Sequence, residues 1–192
     1  MTDSANPAVA SFLAGKLLLA LPGIGDPRFE RSIIAMCVHD AQGALGIGVG
    51  EWREGVSFHE VLEEIGIDPG EAPDVPVLHG GPVEPGRGFV VHSPDWSGSG
   101  TLPVCDAFSL TASLDVVKSI AEGTGPRQWL FALGYAGWGP GQLDGEMSRH
   151  GWYATDSRDT ILFDTSAEKR WVAAWKADGI DPALLASESG HT

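Results

Sequence analysis

Apolar residues along this chain come in short runs divided by glycine and proline, and the period of each run predicts its element. "KLLLALP" (16–22) is a continuous apolar stretch stopped by Pro22, the pattern of a buried strand. "GIGDPRFE" (23–30) follows as a turn cluster in which Asp26-Pro27 favours turn initiation. "RSIIAMCVHD" (31–40) predicts a second strand. "AQGALGIGVGE" (41–51) predicts a turn and then a glycine-spaced strand, whose missing side chains imply a close backbone approach. Connections this short make the three strands an antiparallel meander.

The period lengthens at "SFHEVLEEIG" (57–66), where Phe58, Val61, Leu62 and Ile65 form a helical stripe. Ser57 and Glu60 have capping-box spacing, and Gly66 closes the helix. Beyond a loop at 68–74, strands at 75–79 and 87–92 read as a hairpin with a tip stiffened by glycine and proline. "SGSGT" (97–101) is a loop, and "SLDVVKSIAEG" (113–123) a helix capped by Ser113 and ended by Gly123. "QWLFALGY" (128–135) predicts a buried strand, and the glycines after it a strand-to-helix turn. "PGQLDGEMSRH" (140–150) then starts a helix with Pro140 in its first turn. "TILFD" (160–164) reads as a short strand, and "AEKRWVAAWKADG" (167–179) as a helix with Trp171, Val172 and Trp175 inward. Neither a repeat nor a break in composition divides the chain, so a single domain over 1–192 is expected, with flexible ends at 1–10 and 182–192.

Composition narrows the function classes. The 192 residues are 43% hydrophobic, enough to bury a sizeable core. The early apolar stretch "FLAGKLLLALPGIG" is interrupted by Lys16 and lacks the basic flank and cleavage site of a signal peptide. A cytoplasmic protein with no membrane partner is expected. Twenty-six acids against 12 bases give a net charge of −14, and no three Lys or Arg cluster together. Direct nucleic-acid binding rests on such clusters, so none is expected. Cys37 and Cys105 have neither scaffold nor metal-ligand spacing. Cys37, inside an apolar run, reads as a buried inert thiol, with a redox role as the alternative. His39, His79 and His92 fall at predicted strand ends; local hydrogen bonding is favoured over convergence on a metal, and no cofactor is expected. No nucleophile elbow, phosphate loop or zinc-helix signature occurs, which leans against an enzyme.

Three segments place charge beside glycine or proline where a predicted strand ends. "GDPRFERS" carries Asp26, Arg28 and Arg31. "HGGPVEPGRGF" carries Glu84 and Arg87, with His92 just beyond it. "GYAGWGPGQLDGEM" carries Tyr135, Trp138, Gln142 and Glu146. Unpaired charges are costly to bury, so these ten residues are expected to meet around one cleft, Arg28 or Arg31 reaching Glu84 or Glu146. The amides of 139–141 would form its floor. The alternatives are a structural salt-bridge cluster pinning three loops, Trp138 as a core plug, and an intrahelical Glu146–Arg149 pair.

"GKLLLALPGIGDPRFERSII", "GGPVEPGRGFVVHS" and "LGYAGWGPGQLDGEM" together resemble the YqgE/AlgH family of bacterial proteins, in the family's order and across roughly residues 15–180. The resemblance implies an α/β (α+β) fold: a mixed, largely antiparallel, bifurcated sheet partly curled into a small barrel, with peripheral helices. It implies a regulatory role, linked in one lineage to alginate and transcription, and no established reaction. The third strand, "GIGVGEWREG", lacks the Asn, basic residue and Pro that many relatives carry there. The leading expectation is a non-enzymatic regulatory or binding protein that acts through a protein partner or small-molecule ligand. The alternatives are a hydrolase-like enzyme using Arg28, Arg31, Glu84, His92 and Glu146, and a regulator that binds DNA directly, which the net charge opposes.

Overall fold

The structure, a computed structural model, describes residues 13–23, 30–149 and 151–188. The first apolar runs fold as their patterns require, into β1 (Lys16–Ala20), β2 (Ile33–Asp40) and β3 (Gly43–Gly48), paired antiparallel in a meander. The register of β2 on β3 shifts between Met36 and Val38, which leaves Cys37 at a bulge. Next come β4 (Trp52–Ser57), α1 (Phe58–Glu64), β5 (Pro76–His79), β6 (Val83–His92), β7 (Thr101–Pro103), β8 (Ser109–Thr111) and α2 (Leu114–Ala121). The chain continues through β9 (Trp129–Trp138), α3 (Gln142–Ser148), β10 (Trp152–Asp156), α4 (Asp159–Phe163), α5 (Ala167–Ala177) and α6 (Pro182–Glu188). No helix among the described residues is long and apolar enough to cross a membrane.

The sheet runs β10-β1-β2-β3-β9-β6-β8-β7 and forks at β9. One edge of β9 pairs antiparallel with β6. The other is divided: Ala132 and Leu133 pair parallel with β5, whereas Ala136 to Trp138 pair antiparallel with β3. The residue at the division is Gly134, with φ +80°. A Cβ on Gly134 would lie 2.3 Å from the Gly81 oxygen, and one on Gly80 would lie 2.1 Å from the Gly134 oxygen. Two hydrogen bonds cross the fork, from Gly48 N to Gly80 O (2.7 Å) and from Gly80 N to Leu133 O (2.9 Å). Glycine is required here because the backbones leave no room for a side chain.

The far end of the sheet folds back on its first edge. Cys105, just beyond β7, lies with Sγ 3.3 Å from Ser157 Oγ, and that hydroxyl donates to the Gly15 carbonyl. These contacts join the two sides of a partial barrel. Strand alternation divides the side chains between faces. Leu17, Leu19, Ile47, Phe89 and Phe108 pack with Trp171 and Trp175 of α5. Leu18, Ile34, Met36 and Trp152 pack under Leu143 of α3. Helices α1 and α2 cover the other branch, with Phe58, Leu62, Val116 and Ile120 against Phe131. Each such fully buried side chain contributes about 1.5–3 kcal/mol.

The capping box of α1 forms as expected: Ser57 Oγ accepts from Glu60 N (3.3 Å), and the Glu60 carboxylate accepts from Ser57 N (2.8 Å). Four expectations are corrected. The strands at 75–79 and 87–92 are not a hairpin, because the chain at Gly81 crosses the backbone of β9 and places β5 and β6 on its opposite edges. The strand predicted to end at Tyr135 runs on to Trp138, because β3 offers it a ladder. The turn is therefore confined to 139–141, and α3 begins at Gln142 with Gly141 (φ +71°) at its N-cap and Pro140 outside it. Residues 159–163 are a helix, in which Ile161 and Leu162 are both buried; an apolar run this short carries no period to separate helix from strand. Finally, α6 occupies a stretch expected to be loose.

Candidate functional site

Of the ten residues expected at one cleft, Asp26 and Arg28 lie outside the described residues. The described others fall into separate places. Glu84 and Arg87 pair with each other at 3.3 Å on the exposed part of β6, and Arg87 also lies 5.1 Å from the centre of the Phe89 ring. Tyr135 packs edge-on against Phe89 in the central cluster. His92 ends β6 fully buried, with Nδ1 2.9 Å from Ser93 O and Nε2 2.8 Å from Thr111 Oγ1. Burial holds its pKa below the ordinary imidazole value, so the neutral ring donates to the carbonyl and accepts from the hydroxyl. Thr101 extends this chain, its hydroxyl 2.9 Å from that of Thr111.

Trp138, Gln142 and Glu146 form a closed set of their own. Glu146 Oε2 accepts from the indoles of Trp138 (2.9 Å) and Trp152 (3.1 Å), and Oε1 accepts from Gln142 Nε2 (3.3 Å). Gln142 Oε1 in turn takes the Gly139 N–H at 2.9 Å, so that amide is not a cleft floor. This carboxylate ties α3 to β9 and β10. The single cleft built from these side chains is thus corrected, and the cause is the extended β9. A strand through 134–138 sends neighbours to opposite faces and carries Trp138 towards α3. The histidines do not meet either. Nε2 of the buried His39 pairs with Asp144 Oδ1 at 3.4 Å, whereas His79 is exposed at the end of β5. No group of three or more His, Cys, Asp or Glu among the described residues is placed to hold a metal ion. Cys37 is 4% exposed, and burial pushes its thiol well above the ordinary range; Cys105 is half-buried.

The three segments do share one hollow, through backbone and a single cation. A cleft of about 540 Å³ opens at the fork, between the start of β2, the end of β3, the 79–82 turn, Ala136 and the first turns of α5. Arg31 stands at its wall with φ +58°, a conformation rare for a side-chain-bearing residue. Its guanidinium lies 5.4 Å from the centre of the Trp171 ring, a cation–π contact. Among the described residues no carboxylate pairs with it. Opposite, Glu168 is held below the ordinary carboxylate range by its own backbone N–H, the Ser166 hydroxyl and the Trp52 indole. Two further hollows adjoin the cleft. One of about 400 Å³ shares Arg31 and Trp171 and reaches Lys176, and one of about 690 Å³ shares Glu51, His79 and Glu168 and reaches Trp52.

Behind the cleft lies Arg170, which the sequence reading passed over. It is 3% exposed, donating from Nη1 to Val49 O (2.7 Å) and from Nε to Ile161 O (3.3 Å). Burial draws its pKa down to about 10, which leaves it charged at neutral pH. It fixes the segment after β3 and the helix α4 to α5, and so sets the back wall. Its signal was available: 170 falls on the same stripe as Ala167, Trp171 and Ala174, where an arginine is out of place. The Arg31 guanidinium, on an aromatic face and with no carboxylate partner among the described residues, offers a planar fork to an anionic group.

Comparison with known proteins agrees with this architecture. The AlgH-like family model matches residues 17–183. A UPF0301 protein of Novosphingobium aromaticivorans is 61% identical over 181 residues, covering 94% of this chain and 97% of that protein. The UPF0301 protein of Rhodospirillum rubrum is 46% identical over 181 residues, with 94% of each chain covered. The solution structure of the AlgH protein from Pseudomonas aeruginosa superposes with a TM-score of 0.78 at 34% identity, over 100% of both chains. A crystal structure of a Corynebacterium diphtheriae protein shares the fold at a TM-score of 0.74 and 17% identity, over 92% of each chain. With its forked sheet, its glycine crossing and a match over nearly all its length, this chain belongs to the AlgH-like, UPF0301 family of bacterial proteins.

Proposed function

We propose that this is a non-enzymatic binding protein of the regulatory kind, which engages a partner protein or small ligand in the cleft at the sheet fork. The observation that carries the reading is Arg31. Its backbone is held at φ +58°, which costs about 1–3 kcal/mol in a residue with a side chain, and among the described residues its guanidinium has no carboxylate partner. Packing alone favours glycine at such a position and a paired charge on such a side chain. The hydrolase-like alternative loses support, because Glu84, His92 and Glu146 are each committed elsewhere. Direct DNA binding remains opposed by the net charge of −14.

Arg31→Gly provides the test, since it relieves the backbone strain while removing the cation. The melting temperature should stay the same or rise by a few degrees, in line with about 1 kcal/mol of relieved strain. Species captured from native lysate by the wild-type protein, read by native mass spectrometry, should be lost. A variant that melts much earlier yet retains those species would show that Arg31 is structural.

A further inference from the structure

We propose that Cys37 and Cys105 are a redox pair, which a neutral hydroperoxide converts to a disulfide fastening the loop after β7 to β2. The two are remote in sequence, and the fold brings them together over one glycine. The register of β1 on β2 sets Leu17 opposite Ala35. Two residues further on, Gly15 comes opposite the bulge at Met36 and Cys37, and its N–H donates to Met36 O at 2.8 Å. Cys37 shares a face with Ala35: both belong to the central cluster, and the thiol lies 3.5 Å from the Ala35 oxygen. A side chain at 15 would stand on that face, about 5 Å from the Cys37 Cβ, as cross-strand neighbours do. Gly15 leaves the place vacant and Cys105 fills it. A Cβ built on Gly15 would lie 3.0 Å from Cys105 Cβ and 3.5 Å from its Sγ. Cys105 packs against the same cluster as Cys37. A disulfide holds its Cβ atoms about 3.8 Å apart, and the adjustment falls on the 104–107 loop rather than on the sheet.

The two thiols differ in access. Cys105 is half-buried and lines a hollow of about 420 Å³ with Asp106, Asp156, Ser157 and Asp159. Ser157 spends its proton on the Gly15 carbonyl, so its oxygen accepts from the Cys105 thiol at 3.3 Å and holds the sulfur in place. Asp156 pairs with Lys16, and Asp106 and Asp159 leave the hollow negative. Such a field turns away anionic oxidants, so a small neutral hydroperoxide is the class that fits. Cys37 is buried. Burial, and the Cys105 thiol beside it, push its own thiol well above the ordinary range, so it keeps its proton until an electrophilic sulfur forms next to it.

The chemistry closes in two steps. Cys105 sulfur attacks the peroxide, the O–O bond breaks, and an alcohol or water leaves with the thiol proton. Cys105 is thereby oxidised to a sulfenic acid and the peroxide is reduced. Cys37 sulfur then attacks Cys105 sulfur, the S–O bond breaks, and the hydroxyl departs with the Cys37 proton as water. The bond closes a loop of roughly 70 residues and ties β2, whose first residues line the cleft, to the far side of the partial barrel.

Reduced, full-length wild-type protein treated with hydrogen peroxide, then denatured and capped with a maleimide, provides the test. Intact mass should show a monomer lighter by two hydrogens that takes up no maleimide. Digestion without reductant should give the Cys37 peptide joined to the Cys105 peptide, and dithiothreitol should restore both thiols. The oxidised protein should melt several degrees higher than the reduced one. In Cys105→Ser, Cys37 should stay reduced under the same treatment. Oxygen added at Cys105 while Cys37 remains free, a covalent dimer through Cys105, or no reaction in the native protein overturns the pair. A link formed without any rise in melting temperature overturns the fastening.

Discussion

Alanine at Gly134 measures how much of this fold depends on backbones touching at the fork. Two penalties act together. A side chain at φ +80° carries about 1–2 kcal/mol of strain. The new Cβ would also lie 2.3 Å from the Gly81 oxygen, against ordinary contact at 3.4–4 Å, so the crossing must open by about 1 Å. Opening it stretches the bonds from Gly80 N to Leu133 O and from Gly48 N to Gly80 O, each contributing about 1 kcal/mol. The sum is about 3–4 kcal/mol, at the upper end of what single substitutions cost. For a chain of this size that lowers the melting temperature by roughly 10 °C or more. Gly66→Ala is the control. Gly66 has φ +78°, but a Cβ there meets nothing within 4 Å, so only the strain applies and the loss should be near 1 kcal/mol. Urea and thermal melts followed by circular dichroism measure both variants. Equal losses for Gly134→Ala and Gly66→Ala would refute the argument from close approach.

Glu146→Ala removes the carboxylate that accepts from the indoles of Trp138 and Trp152, and should cost about 2–3 kcal/mol in a urea titration; Glu146→Gln retains an acceptor and should cost about half. A loss below about 0.5 kcal/mol for the alanine variant would mean that the set holds nothing together. Because His92 has a lowered pKa in the folded protein, the unfolded chain binds more protons as the pH falls, and its contribution is complete above pH ~6.5 and lost below it. The carboxylates lowered by folding, such as Asp178, act only below pH ~4, so between pH 7 and 5 the wild type should lose stability while His92→Gln stays flatter; identical slopes would exclude His92. Cys105, half-buried in a loop, should react with a thiol reagent in the native protein, and Cys37 only on unfolding; rapid native labelling of Cys37 contradicts the buried bulge.

Elements were legible where a local signal sufficed. The capping residues Ser57 and Glu60 announce α1, and the tryptophans of α5 announce its inward face. What escaped the pattern was long-range. The glycines at 134, 137 and 139 look alike in sequence, yet Gly134 marks the fork within a strand, and Gly139 begins the turn. Only the presence of β3 alongside decides that the chain between them stays extended. The same holds for the site. Arg31 stood out because a cation sat beside a turn, but its ring partner Trp171 lies far away on α5. Glu146 and His92 were conspicuous for carrying polar groups near apolar runs, and they satisfy two indoles, a carbonyl and a hydroxyl. A polar residue amid apolar ones signals a bond to be made, without saying whether the partner is another element or a ligand.

The forked strand has a consequence for how the chain is made. β3, β5 and β6 all use β9 as a neighbour, and β9 does not begin until Trp129. On the ribosome, the earlier strands emerge with edges that have nothing to pair with, and the first edge of the barrel waits longer still, since Lys16 meets Asp156 only when β10 arrives. Unpaired edges on a partly made chain are where aggregation starts. Folding of this protein therefore cannot grow steadily from the amino end. It is gated by the synthesis of one ten-residue strand two-thirds of the way along, and a chain cut short before that strand keeps the edges of β1, β3, β5 and β6 open rather than forming a smaller version of the fold.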